Sequence, residues 1–315
     1  MKSKLSHIAW PVIGLAAVVF SGWLLVQELR NLSLAQVAES IGAIPAAHWL
    51  ALIGCTLLAY AALAEYDRIA LRHLGRILSW PFVAITSFTT YALAHNIGAS
   101  VFSGALVRYR AYSSKGLSAG EIGMLIALCS LTFTLGVTVL GGLLAVSQPA
   151  LFERVLEVPA HLIVVAGVVM LLFVAFYVVG SLLHFRPLKI GGFSLVYPRP
   201  EIVARQLIIG PIEVMAAAGI IYFALPEAGN PGFLVVLGVF VLSFSAALIS
   251  HAPGGLGVLE YIFVTALDEM APADVIAALI VFRIFYLLLP LAMALVVVLI
   301  FERGQLGKSV QTNGT

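Results

Sequence analysis

Charged side chains are the scarcest feature of this sequence. Only 10% of its 315 residues are Asp, Glu, Lys or Arg, whereas soluble globular domains carry roughly 25%. Hydrophobic residues make up 62% of the chain, and uncharged runs of roughly 20 residues, enough to cross a bilayer core, recur along it. The composition excludes an ordinary soluble domain and predicts an all-α polytopic membrane protein. The net charge of +2 is too small to indicate nucleic-acid binding.

Residue patterns that carry common chemistry are also missing. The chain has two cysteines, Cys55 and Cys129, and both lie inside apolar runs, which favours small buried side chains over a disulfide or a metal pair. The sequence contains no Cys/His cluster with metal-ligand spacing, no Walker-type phosphate loop and no GxSxG motif. We therefore predict no metal, no cofactor and no catalytic residue.

The few charges predict the topology, because Lys and Arg favour the cytoplasmic side of a membrane. The first apolar run follows Lys2 and Lys4 and is longer than the core of a usual signal peptide, so we expect it to remain as a span. With the basic clusters inside, both termini are cytoplasmic in the cell (inner) membrane. Single spans are then expected at about 8–27, 49–67, 121–146, 161–185, 201–225 and 273–301. The capping-type residues Ser118 and Glu121 begin the third of these, and residues 186–200 are expected to form a basic loop.

Two further apolar segments do not fit a single span. Residues 80–107 lie between basic clusters that are both inside, and residues 233–267 begin and end outside. Each segment is broken near its middle, at 96–98 and at 251–257. We therefore predict six spanning helices plus two re-entrant helical hairpins, which enter from opposite faces. The alternative is eight ordinary short helices.

The order span, span, hairpin, span occurs twice, at an offset of about 150 residues. Residues 1–152 form the first half and residues 153–305 the second, within one membrane domain (1–315) that ends in a cytoplasmic tail, 306–315. The halves have opposite orientation, which predicts an inverted-topology repeat with a substrate site at the midplane. Accidental spacing is the alternative, but broken backbone exposed to lipid is costly and favours the repeat.

Polar residues at the two breaks form the predicted substrate site. Helix starts and freed backbone groups there suit an anion such as phosphate. Arg283 lies within the last span, where a charge costs at least about 2.5–3.5 kcal/mol, so it needs a partner, and Glu213 and Glu260 have the right sign. The candidate substrate-binding residues are Asn96, Ser103, Gly104, Arg108, Arg110, His251, Pro253, Gly254, Gly255, Glu260 and Arg283.

Structural alternatives remain open at several of these positions. The glycines after His251 could serve only close helix crossing, and Arg283 could belong to a buried structural ion pair. Arg108 and Arg110 do not share a helix face, so one can meet a phosphate while the other fixes the cytoplasmic end. Glu65 and Asp67, at the inner end of the second span, are interpreted as a solvated helix end that neutralises Arg68 and Arg72; the alternative is a carboxylate pair that relays protons.

Four stretches resemble the lysylphosphatidylglycerol synthetase transmembrane family. They are HNIGASVFSGALVRYRAYSSKGLSAGEI, ALCSLTFTLG, SHAPGGLGVLE and VFRIFYLLLP. That family includes the flippase domain of multiple peptide resistance factor proteins and stand-alone inner-membrane proteins. Because this chain ends soon after Lys308, the resemblance implies a member without the transferase domain. The family's motif positions correspond here to Asn96, Arg108, Arg110, Gly254, Gly255, Glu260 and Arg283.

The resemblance implies a lipid-handling membrane domain. The expected function is flippase-like transport of an anionic, or aminoacylated, phospholipid or another lipid-linked anion. Membrane phospholipid is the expected partner, and lipid-synthesis enzymes are further candidates. One alternative is an accessory membrane protein for lipid-modifying enzymes that transports nothing itself. A third is an intramembrane lipid-modifying enzyme, for which His251 beside Glu260 is the one candidate pair.

Overall fold

Helices make up most of the residues that the structure describes. The computed structural model describes residues 34–97, 100–185, 188–190, 193–195, 197–250 and 253–312. The elements are α1 (Leu34–Gly42), α2 (Ala46–His73), α3 (Trp80–Ile97), α4 (Ser100–Ser113), α5 (Ala119–Ser147), α6 (Pro149–Leu156), α7 (Ala160–Leu182), β1 (Leu188–Ile190), β2 (Phe193–Leu195), α8 (Pro200–Ala224), α9 (Phe233–Ser250), α10 (Val258–Ala266), α11 (Pro272–Phe282) and α12 (Leu289–Thr312). A 3₁₀ turn (Pro253–Gly255) separates α9 from α10, and a π-helical segment (Arg283–Leu288) joins α11 to α12.

Within the described residues, six helical segments are long and apolar enough to cross a membrane. They are α2, α5, α7, α8, α9 and the continuous segment Pro272–Ile300. Five of these correspond to predicted spans. The sixth, α9, is the first arm of the predicted second hairpin, and the predicted first span, 8–27, lies outside the described residues. The chain is a multi-pass α-helical membrane protein.

Helix interruptions occur at both predicted breaks. Helix α3 has 18 residues and packs against α4, which has 14 residues. Helix α10 has 9 residues, so at 1.5 Å per residue it is about 14 Å long, half of a bilayer core. The two helix–break–helix units are therefore present. Their re-entry from opposite faces, and the inverted repeat, remain predictions.

Helices α2 and α8 pack together at the centre of the molecule, and α5 crosses α8 closely. A Cβ atom added to Gly136 on α5 would lie 2.5 Å from the backbone of Gly210 on α8. Beside this crossing, the buried amide of Gln206 donates to Thr132 (3.0 Å) and accepts from Tyr177 (2.7 Å). Small residues and satisfied polar groups thus hold α5, α7 and α8 together, as expected for helices in lipid.

Several local expectations are confirmed. Helix α5 begins with the predicted capping box, in which Ser118 Oγ accepts from the Glu121 amide and the Glu121 carboxylate accepts from the Ser118 amide. Both cysteines are free, and Cys129 is buried. The basic segment 186–200 differs from the expected loop, because β1 and β2 pair in it as a short antiparallel hairpin.

Candidate functional site

The most polar contact between the second break and the last span is made by Arg283. Its Nε donates to Glu260 Oε1 at 2.8 Å, and its Nη1 donates to the carbonyl oxygen of Gly254 at 2.9 Å. The other carboxylate oxygen of Glu260 accepts from the Gly257 amide at 2.8 Å, at the start of α10. One carboxylate therefore joins a guanidinium to a helix N-terminus.

Glycine is required by the backbone of this second break. Gly254, Gly255 and Gly257 have φ values of 57°, 66° and 78°, a region that other residues adopt only with strain. The break also lies against the first hairpin, because a Cβ atom on Gly254 would be 4.0 Å from the carbonyl oxygen of His95. The glycines thus shape the break as well as allowing close approach.

Arg283 is the first residue of the π-helical segment. Carbonyl groups of this segment accept hydrogen bonds from side chains of other helices. Pro290 has no N–H to offer the carbonyl four residues earlier, and that carbonyl, of Tyr286, accepts from the Tyr60 hydroxyl at 2.9 Å. The next carbonyl, of Leu287, accepts from Asn96 Nδ2 at 3.1 Å. The segment is therefore tied to α2 and to the end of α3, as buried polar backbone requires.

Arg108 forms a second ion pair, with Asp67. Its Nη2 and Nε lie 2.6 and 3.3 Å from the two oxygens of a carboxylate that is 0% exposed. Tyr112 Oη and Cys129 Sγ donate to the same carboxylate at 2.7 and 3.3 Å. The interpretation of Asp67 as part of a solvated helix end is wrong, because this side chain points into the bundle, where a charge needs a partner.

A row of aromatic rings runs from the Arg108 ion pair to the π-helical segment that Arg283 begins. The guanidinium of Arg108 lies 4.7 Å from the ring centroid of Tyr91, which is 5.6 Å from the ring of His95. The His95 ring in turn stacks on Tyr286 at 5.2 Å. The row ends three residues beyond Arg283 in the π-helical segment, so α3 and the last span make direct contact at the first break.

Glu213 is not the partner of Arg283. Its side chain lies in the middle of α8, is 2% exposed, and accepts from Tyr286 Oη at 2.5 Å and from Tyr66 Oη at 3.5 Å. No salt bridge to Glu213 occurs within the described part of the chain. Of the two carboxylates considered for Arg283 from the sequence, Glu260 is the one in contact.

The remaining candidates are distributed around these contacts. Gly104 lets α4 approach α3, since a Cβ atom there would lie 3.2 Å from Thr90. Arg110 is exposed on α4. For Ser103 and Pro253 the structure describes the backbone alone, and His251 lies outside the described residues.

Sequence reasoning missed the tyrosines that organise this region. Tyr286 lies three residues after Arg283, close enough to share its helix face, and Tyr66 directly precedes Asp67. A tyrosine hydroxyl buried in a membrane helix needs a hydrogen-bond partner. That requirement could have identified these tyrosines from the sequence, although it does not indicate which helix supplies the hydrogen-bond partner.

A cavity of about 370 Å³ lies apart from these contacts. It is lined by residues of α6, of the turn before α9 and of the segment after α10, Arg154 and Glu269 among them. Arg154 also pairs with Asp268 at 3.2 Å. This cavity contains none of the residues predicted to bind substrate.

Comparison with known proteins gives a consistent result over most of the chain. A sequence model described as the lysylphosphatidylglycerol synthase TM region matches residues 12–294. The uncharacterized protein slr0712 of Synechocystis is 29% identical over 294 residues, 92% of this chain and 91% of that protein. The inner membrane protein YbhN of Escherichia coli is 30% identical over 263 residues, 80% of each chain. The phosphatidylglycerol lysyltransferase of Bacillus subtilis is 22% identical over 91% of this chain, but over 33% of its own length.

Proposed function

Since the chain belongs to the lysylphosphatidylglycerol synthase transmembrane family, we propose that it is a non-catalytic transporter of the inner membrane with both termini in the cytoplasm. It moves an anionic phospholipid, an aminoacylated phospholipid or another lipid-linked anion between the leaflets. The main barrier to this movement is desolvation of the charged headgroup, which a polar site between the helices lowers. The B. subtilis relative is named as a lysyltransferase, and one third of its length corresponds to this chain.

The observation that carries the proposal is the position of the Glu260 carboxylate. It is held by the guanidinium of Arg283 at 2.8 Å and by the Gly257 amide at the start of α10, also at 2.8 Å. A guanidinium and a helix N-terminus are the donors that a phosphate prefers. Glu260 therefore occupies, in this state, the place that a lipid phosphate takes when it binds Arg283.

A lipid phosphate can replace the carboxylate partner of Arg283 more easily than that of Arg108. The Arg283 and Glu260 side chains are 14% and 9% exposed, against 6% and 0% for Arg108 and Asp67. Asp67 also accepts from Tyr112 and Cys129 in addition to the arginine. Arg108 therefore positions the first hairpin, whereas Arg283 contacts the substrate.

Alternating access is supported by how the two hairpins are tied. Arg108 and Glu260 lie on the second arm of their respective hairpins, at the offset predicted for the repeat, and each joins its arm to a neighbouring helix through an ion pair. The break of one hairpin lies against the break of the other. Rocking of the halves would open this junction to each side in turn.

Reconstitution with a labelled anionic phospholipid tests the proposal. Chemical quenching of the label in the outer leaflet measures exchange, which the wild-type protein should accelerate over protein-free vesicles. Arg283→Ala should return the rate to the protein-free value, because the phosphate loses its guanidinium. Arg205→Ala is the matched control, since that arginine is 47% exposed and lies 3.8 Å from its partner Glu65.

Folding is controlled with a variant that removes both charges of the pair. Arg283→Ala leaves Glu260 buried without a cation, which is destabilising by itself. Arg283→Met/Glu260→Gln avoids this cost and should still lose exchange while eluting as a folded protein. Equal exchange in empty and wild-type vesicles, or full exchange by the folded double variant, would overturn the proposal. If the wild-type protein accelerates exchange, mass spectrometry of the co-purified lipid identifies the substrate headgroup.

A further inference from the structure

A buried carboxylate outside the proposed lipid contact has no cation to neutralise it in the described part of the chain. Glu213 lies in the middle of α8 and is 2% exposed, and its two hydrogen bonds come from neutral tyrosine hydroxyls. An isolated charged carboxylate is costly in such surroundings and is relieved by binding a proton. The two carboxylate oxygens and the two hydroxyl oxygens are also too few for the six or more ligands of a bound calcium ion.

The titratable and charged groups that face Glu213 are few, which makes a pH response attributable to it. From α2 they are Tyr60 and Tyr66, and Asp67 next to them is paired with Arg108. From the last span the facing group is Tyr286, on whose ring His95 of α3 stacks. The other helices packed against α8 bring few titratable groups, and α9 brings none. Helix α5 carries Glu121 and Cys129, and the Cys129 thiol is bonded to Asp67. Helix α7 carries His161 and Tyr177, and α11 carries Asp274 near its start.

Tyr286 connects Glu213 to the proposed lipid contact. Its hydroxyl bonds the carboxylate at 2.5 Å, and it lies in the π-helical segment that Arg283 begins. π-Helical turns carry one extra residue and are found frequently at functional sites. A hydrogen bond to a carboxylate is roughly twice as strong as one to a neutral carboxyl group. Protonation therefore weakens the hold of α8 on this segment.

We propose that Glu213 is a proton-binding site, and that its protonation is coupled through Tyr286 to the position of Arg283. A proton from water on the acidic side adds to one carboxylate oxygen, and the resulting O–H donates while the other oxygen still accepts from tyrosine. The hydronium ion that supplies the proton breaks one O–H bond and leaves as water, and no other covalent bond changes. The coupling to transport rests on the proposed function, whereas the proton site itself does not.

Infrared difference spectra of the purified protein between low and high pH test the site directly. The carbonyl stretch of a protonated carboxyl group should titrate in the wild type and shift when the protein is made with ¹³C-carboxyl glutamate. Glu213→Gln should lose this band. Glu201→Gln is the matched control, because Glu201 is an exposed residue of the same helix and its loss should leave the band unchanged. The glutamate label gives a result even if Glu213→Gln does not fold.

Vesicles with a pH gradient test the coupling separately. Wild-type protein should enrich the labelled phospholipid in one leaflet, and collapse of the gradient or Glu213→Gln should abolish that enrichment.

The outcomes of the two experiments are distinguishable. An infrared carboxyl band that does not respond to the glutamate label, or that persists in folded Glu213→Gln, overturns the proton site. A Glu213-dependent band with lipid exchange that ignores the gradient overturns the coupling. A Glu213-dependent band with no lipid exchange at all overturns the proposed function and leaves the proton site standing.

Discussion

Asp67→Asn tests whether the buried ion pair between Arg108 and Asp67 stabilises the fold, as its contacts indicate. The substitution keeps the shape of a side chain that is 0% exposed and removes its charge. Tyr112 and Cys129 donate to different oxygens of Asp67, so one of them also loses its acceptor to the amide NH₂, but the largest loss is the charged partner of Arg108, whose side chain is 6% exposed. The perturbation thus removes the charge of a carboxylate that lies 2.6 Å from the guanidinium, and with it one of two acceptor oxygens.

The expected cost follows from leaving one charge buried alone. Removal of one partner of a buried ion pair destabilises by about 3–5 kcal/mol, which lowers the folding equilibrium constant about 10²- to 10³-fold or more. Arg108→Met should cost a similar amount by stranding Asp67. Asp67→Asn/Arg108→Met removes both charges and should cost much less than the sum, with a coupling energy of about 3 kcal/mol.

Equilibrium unfolding in mixed micelles, followed by helix content, measures these free energies. Glu65→Gln is the matched control, because Glu65 lies two residues earlier on α2 and its partners are 41% and 47% exposed. It should cost no more than about 1 kcal/mol. The stabilising role of the ion pair would be refuted if Asp67→Asn were no more destabilising than Glu65→Gln. It would also be refuted if the double variant lost as much free energy of unfolding as the two single variants together.

Two further predictions concern packing and topology. Gly136→Ala should destabilise by about 1–3 kcal/mol in the same unfolding assay, because its Cβ atom would lie 2.5 Å from the α8 backbone; Gly123→Ala on the same helix meets nothing within 4 Å and should be neutral or slightly stabilising. A cysteine introduced by Gly229→Cys, in a background without Cys55 and Cys129, should react with a membrane-impermeant reagent from outside the cell, since the inverted repeat puts the turn before α9 on that side. Labelling from the cytoplasm alone would contradict that repeat.

Helix positions and breaks could be predicted closely from the sequence. Backbone hydrogen bonds inside lipid must be satisfied within a helix, so apolar length and scarce charge mark the spans. Glycine and proline mark their interruptions at 251–257, and Ser118 with Glu121 marked a helix start through a purely local motif. These signals depend on residues close in the chain, which is why they can be interpreted without the fold.

The sequence predicted which charged residues belong to the candidate site, but it did not predict which of them form ion pairs with each other. Arg283 required a carboxylate, yet Glu213 and Glu260 satisfied that requirement equally well from sequence. Asp67 was misassigned because its place at the end of an apolar run is compatible with water as well as with the bundle interior. The facing direction of a single side chain depends on helix rotation, which the weak periodicity of a nearly all-apolar helix does not define.

The sequence by itself determined that this is a helical membrane protein, where its helices are interrupted, and which few charges lie within it. Those features follow from the cost of polar groups in lipid, a cost that each segment meets alone. Only the tertiary structure decided that Arg108 pairs with Asp67, that Arg283 pairs with Glu260, and that Glu213 is bonded by tyrosines from two other helices. Such pairings join residues up to 147 positions apart, and they depend on how the helices pack, because each charge takes the partner that packing brings within a few ångströms.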